Sequence, residues 1–153
     1  MLTMKTRYAL KALAHLATSP PAEPVLVAEI AEHAGVPRKF LELILAELRK
    51  EGFVRSKKGR GGGYCLAAAP EKIALASVMR VIDGPLAPVP CVSEKAYSPC
   101  EECVSQEVCG TRLVMKDVRD AVARILDATT IAAVLARLEA AGREGRADLA
   151  YSI

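Results

Sequence analysis

From Met4 to Ala17 apolar residues return at every third or fourth position, with Ala9, Leu13, Leu16 and Ala17 on one face and Lys5, Lys11 and His15 near its edges. That is the spacing of a helix with one buried side. The prolines of "TSPPAEP" end it, since each lacks a backbone donor and disfavours helical geometry in the residue before it. "VAEIAEHA" predicts a short second helix stopped by Gly35, a residue suited to a left-handed cap. A third helix over 37–51 opens on Pro37, whose missing N–H costs nothing in a first turn. It carries Leu41, Ile44, Leu45 and Leu48 as a full apolar stripe, with Arg38, Lys39, Glu42 and Lys50 falling away from it. Beyond Gly52 the pattern changes: "FVRS" and "YCLA" alternate like short strands around "KKGRGGG", which reads as a hairpin.

"EKIALASVMRVID" predicts a fourth helix, ended by Gly84 and Pro85, and the proline-spotted stretch to Pro99 reads as loop. From about Glu101 or Thr111 a long helix runs to Ala128, with Leu113 or Val114, Val118, Ala121 or Val122, and Ile125 on one stripe. Thr129 or Thr130 caps a last helix, "IAAVLARLEAA". Two helices joined by a tight glycine-containing turn, the second basic on its free face, followed by a basic hairpin, make a winged helix-turn-helix. The expected fold is mainly α. It places a winged-helix domain over residues 1–84, a cysteine-rich loop over 85–110, dimerisation helices over 111–141 and a flexible tail over 142–153.

Composition sharpens this only in places. Hydrophobic residues make up 52% of the 153 positions, Trp is absent, and Phe and Tyr total six, so the core is built from Leu, Val, Ile and Ala. No apolar run approaches the roughly 20 residues that span a bilayer, and Met1 to Ala17 has no cleavage-like site after it. The expectation is a cytoplasmic protein with no membrane partner. The net charge of +3 says little, but its distribution is uneven. Between Pro37 and Gly63 eight Lys or Arg face three Glu, whereas from Cys91 to Gly110 four Glu face one Lys. One segment attracts anions and the other suits a cation.

"RKEGFVRSKKGRGGGYCL" poses a choice between a phosphate-gripping catalytic loop and a surface for a polyanion. A Walker-type loop needs Lys followed by Ser or Thr at the end of the glycines, opening a helix, but here the glycines lead into Tyr64 and Cys65. Double-stranded DNA fits better. Glycines such as Gly61 let the backbone approach closely, while Arg55, Lys57, Lys58 and Arg60 neutralise phosphates or enter the minor groove. On the third helix Arg38 and Lys39 lie near the end that meets base edges, and Glu42, one turn on, can accept from cytosine N4. A solvated basic turn and an i, i+4 partner for Arg38 are the plain alternatives.

Four of five cysteines, Cys91, Cys100, Cys103 and Cys109, crowd into one irregular loop. In a chain read as cytosolic, such spacing points to metal or redox chemistry before disulfides. Thiolates are the ligands of iron-sulfur clusters and of structural zinc, and a metal-free thiol loop is the third reading. Cys65, inside a strand, reads as a small buried hydrophobe. His15 and His33 have no Ser or Cys partner at readable spacing, so no enzyme reading takes shape. A metal-storage or redox protein with an incidental basic face is the rival from another class.

Over nearly its whole length the chain resembles the bacterial winged-helix regulators that include the iron-sulfur cluster regulator IscR, the nitric-oxide-sensing NsrR and the cysteine-metabolism repressor CymR. "KTRYALKAL", "PRKFLELILAELRKEGFVRSKKGRGGGY" and "ILDATTIAAVL" carry the resemblance. It implies a homodimer joined through the long helix near residues 111–128, binding an imperfect palindromic operator and sensing oxygen, nitric oxide or iron through a 2Fe-2S or 4Fe-4S cluster. It also implies that Glu42 acts in selectivity. The cluster loop departs from the family's pattern of three cysteines: Gln106 stands where the iron-sulfur cluster regulator has a His ligand, Cys100 lies only three residues before Cys103, and Cys109 is additional. The fourth ligand is thereby left open between Cys109 and a group from the other subunit.

Overall fold

The computed structural model describes the backbone of residues 2–151 and the side chains of residues 2–142. The helices are α1 (Met4–Thr18), α2 (Val27–Ala34), α3 (Arg38–Lys50), α4 (Leu75–Ile82), α5 (Gly110–Ala128) and α6 (Ile131–Tyr151). Between α3 and α4 lie β1 (Val54–Lys57) and β2 (Gly63–Leu66), an antiparallel pair in which Val54 faces Leu66 and Lys57 faces Gly63. The protein is therefore mainly helical with a two-stranded wing, as its patterning predicts.

The predicted stripe of α3 is the centre of the core, with Leu41, Ile44, Leu45 and Leu48 fully buried. They meet Ala9, Ala12, Leu13 and Leu16 of α1, Ile30, Ala31 and Ala34 of α2, and Val54 at the start of β1. The alanines of α1 and α2 let these helices approach closely, and each large aliphatic side chain withdrawn from water contributes about 1.5–3 kcal/mol. Pro37 is the N-cap of α3 rather than a first-turn residue.

Two boundaries differ from expectation. The fourth helix begins at Leu75 rather than Glu71, because residues 70–72 form a 3-10 turn and Ile73 runs extended so that its carbonyl accepts from Ile131 N–H at 2.9 Å. Leu75 N–H in turn donates to the Thr129 carbonyl at 2.9 Å. This exchange seats Ile131 in the main core, and α6 packs against α1. Hence α6 packs as part of the winged-helix body. Thr130 caps α6 through its hydroxyl, which accepts from Ala133 N–H at 3.2 Å. Of the tail read over 142–153, residues 142–151 lie on the backbone of α6. Its last two residues lie outside the described ones.

His15 is mostly buried between α1 and α2, its ring stacked on His33 with centroids 4.1 Å apart and its Nε2 3.7 Å from Glu29. Burial, and then the charge of His33, push its pKa below the ordinary 6.5 against the opposing pull of Glu29. The unfolded chain then binds the proton more readily. Stability from this site is complete above pH 6.5 and declines as pH falls through that value towards the folded pKa. We expect the melting temperature to drop on acidification from about pH 7 to about pH 5, with a shallower drop in His15→Gln, measured by circular dichroism.

Candidate nucleic-acid interface and cysteine loop

The turn between α2 and α3 is set by Gly35, left-handed at φ 65°, whose N–H closes on the Ala31 and Glu32 carbonyls. With the leucine stripe of α3 committed to the core, Arg38, Lys39, Glu42, Leu43, Ala46 and Lys50 are left exposed. Arg38 Nε donates to Glu42 Oε1 at 3.0 Å. An exposed i, i+4 pair of this kind holds by only about 0.3–0.5 kcal/mol, so either member is readily exchanged for a contact with DNA.

The wing stands beside that helix. Arg55, Lys57, Lys58, Arg60 and Gly61 are all exposed on it, and among the described residues none of its cations takes part in an ion pair. Gly63 sits where the wing passes the start of α2. Tyr64 and Val25 exchange backbone hydrogen bonds at 2.8 and 2.9 Å, and a Cβ on Gly63 would meet the Val25 carbonyl oxygen at 2.2 Å. Only glycine permits this approach. At the other end Arg49 Nη1 donates to Ser56 Oγ at 3.1 Å, fixing the last turn of α3 to β1.

A shallow cleft of about 470 Å³ results, bounded by Arg38, Arg49, Lys57, Lys58 and Tyr64 and by the start of α2 at Leu26 to Ala28. The first amides of α2 have no side-chain cap, so a helix N-terminus faces the same cleft as four cations. Backbone N–H groups and positive charge converging on a concave surface suit phosphate. The sequence reading assigned no site role to Arg49 or the α2 amides. The basic count around Arg49 flagged the region, but its reach to Ser56 depends on how Gly52 turns the chain into β1.

The cysteine loop lies between α4 and α5. Cys91 is in a short 3-10 turn, Pro90–Val92, and is half-buried, as are Cys103 and Cys109, whereas Cys100 is exposed. All are free thiols. Cys103 N–H donates to the Cys100 carbonyl at 3.2 Å, and Cys109 is the N-cap position of α5. Partial burial, a hydrogen bond with Cys100 and the nearby thiols of Cys100, Cys109 and Cys91 all push the Cys103 pKa up. Cys103 thus feels each of the other three predicted thiols. Yet among the described residues no three His, Cys, Asp or Glu side chains stand together as a metal-binding group. In kind the donor set fits a sulfur-ligated centre, while in position its thiols stand apart. Gln106, at the position of the family's His, donates to the Tyr97 hydroxyl.

Two arginines of α5 hold the loop. Arg112 Nε donates to the Cys91 carbonyl at 3.2 Å and Arg119 Nη1 to the Val92 carbonyl at 2.6 Å. Farther along, Arg80 of α4 makes a two-pronged pair with Asp127, at 2.6 and 2.9 Å. Cysteine loop, α5 and winged-helix body are therefore tied in series by directed hydrogen bonds. Cys65, outside this loop, is half-buried opposite Arg55 on the wing, less enclosed than expected.

A helix-turn-helix with a basic hairpin beside its second helix defines a winged-helix DNA-binding protein. The chain belongs to the Rrf2 family, described as iron-dependent transcriptional regulators, which its residues 2–137 match. An Rrf2-like helix-turn-helix transcriptional regulator of Rhodobacter capsulatus is 43% identical over 141 residues, covering 89% of this chain and 93% of that protein. The helix-turn-helix transcriptional regulator IscR of Erwinia tasmaniensis is 33% identical over 131 residues, covering 86% and 76%. Among solved structures, CymR, the global cysteine regulator of B. subtilis, superposes with a TM-score of 0.74 at 28% identity, covering 90% and 97%. The family and these relatives are transcriptional regulators, and the metal-storage reading gives way to them. Among the described residues no helix is long and apolar enough to cross a membrane.

The electrostatics make a direct prediction. Lys58→Ala should make the slope of log affinity against log salt shallower by about 0.9 in a fluorescence-anisotropy titration of duplex DNA, the change expected when one phosphate-neutralising cation is lost. An unchanged slope would show that the wing stays clear of the backbone.

Proposed function

We propose that the protein is a homodimeric transcriptional repressor that binds a palindromic operator and whose affinity is set by an iron-sulfur cluster, 2Fe-2S or 4Fe-4S, held by Cys91, Cys100, Cys103 and Cys109. The observation that carries this reading is the loop itself: four free cysteines, Cys91, Cys100, Cys103 and Cys109, on one segment hydrogen-bonded to α5 through Arg112 and Arg119. A cluster bound there would supply a redox- and ligand-sensitive centre. The chain's own part is to hold the thiols, through Arg112 and Arg119, at the start of the helix that joins the loop to the winged-helix body. Glu42, released from Arg38, serves base selectivity, while Arg38, Lys39 and the wing cations hold the duplex.

The homodimer reading rests on α5. None of its residues is buried, and Val114, Val118 and Ile125 are 57, 39 and 59% exposed on the stripe that the sequence marks as apolar. A helix of this length with an open aliphatic seam is stabilised by a second copy of itself. Ile125→Glu should convert the dimer to monomer in analytical ultracentrifugation and weaken operator binding by more than tenfold, since two half-sites then no longer act together.

A second reading keeps the fold and DNA binding but uses the cysteines as a metal-free thiol switch or a zinc site. The likeness to CymR and the separated thiols favour it over other rivals. One experiment divides the two: anaerobic purification with a visible spectrum and iron, sulfide and zinc analysis. The cluster reading expects a brown protein with iron and sulfide, colour lost in Cys103→Ala, and a shifted or bleached spectrum in Cys109→Ala if four cysteines ligate. Colourless protein, with or without zinc, sinks it.

A further inference from the structure

Leu43 is the one large aliphatic side chain on the face of α3 that looks straight away from the core, and it is 67% exposed. At 100° per residue, Lys39, Leu43, Ala46 and Lys50 fall in a narrow stripe opposite Leu41, Ile44, Leu45 and Leu48. All four are exposed. A leucine and an alanine are thus framed by lysines at both ends of the stripe, with the Arg38 and Glu42 pair one step round the helix. The charges say what covers this patch: a surface that is anionic at its margins and locally apolar at its centre.

The major groove of B-form DNA has that character. Phosphates line its edges, and on its floor the 5-methyl of thymine is the single apolar group among hydrogen-bonding base edges. Set against guanine, adenine or unmodified cytosine, a leucine would strip water from donors and acceptors without replacing their hydrogen bonds. Set against thymine it buries a methyl group and leaves less polar surface unpaired. We infer that Leu43 is a specificity residue that reads the 5-methyl group of a thymine in each half-site. Ala46, one turn on, leaves room for the base. The contact discriminates by shape and desolvation, whereas Glu42 beside it discriminates by accepting a hydrogen bond.

This inference rests on the winged helix binding DNA through α3, and its test separates the two. A duplex pool with a randomised core is selected with the intact protein, and each thymine of the recovered site is then replaced singly by deoxyuracil, which differs only in lacking the methyl. One thymine per half-site should weaken binding about fourfold when demethylated, the loss of one buried methyl group. Leu43→Ala and Leu43→Gln should bind both forms alike, and their folding should be unchanged because the side chain is exposed. Wild-type protein indifferent to deoxyuracil at every position overturns the inference and leaves DNA binding standing, as does a methyl effect that survives in both variants. Failure to recover any duplex overturns the winged-helix reading beneath it. Loss of the dimer in Leu43→Gln, by sedimentation, would assign the face to a second copy of this chain and would also refute the thymine contact.

Discussion

Burial of one aliphatic stripe organises this molecule. Leu41, Ile44, Leu45 and Leu48 fit against the small residues of α1 and α2, and that commitment fixes the rotation of α3 about its own axis. A helix turned by one residue would bring Glu42 and Arg49 inward, at the cost of desolvating charge. With the rotation fixed, every other residue of α3 has its place: Arg38 pairs with Glu42, Arg49 reaches the wing, and Leu43 is left outward. The interface is thus the complement of the core, and its precision derives from packing rather than from its own weak surface pairs.

The same logic extends the wing. Val54 lies in the core, so β1 departs from a fixed point, and β2 returns along it to meet Val25 at the entry to α2. Gly63 allows two backbones to touch there, which joins the start of α2, the end of α3 and the wing into one basic concavity. Cations that repel one another are held together by apolar packing behind them, so their charge stays unspent and available to a polyanion.

α5 is held by polar and apolar contacts together, with Leu126 packed against Ala76, Met79 and Leu86. α5 reaches the body through Arg80 and Asp127 and the cysteine loop through Arg112 and Arg119, while its aliphatic seam stays open. Hydrogen-bonded joints of this kind are easier to shift than an interdigitated core.

Much of this was legible along the chain. Periodicity located α1 to α3, the Gly35 stop and the hairpin because each depends on neighbours within a turn or two, and the clustered lysines, arginines and cysteines named the interface and the thiol loop. The pattern missed what depends on contacts distant in sequence. Ile131 enters the core because residues 129–131 trade hydrogen bonds with 73–75, which also shortens α4 and folds α6 back onto α1. The stacking of His15 on His33, the arginine clasps on the loop and the exposure of Leu43 have the same origin. Local spacing decides which residues can share a face, but which face is covered, and by what, is fixed only when remote segments compete for the same apolar surface.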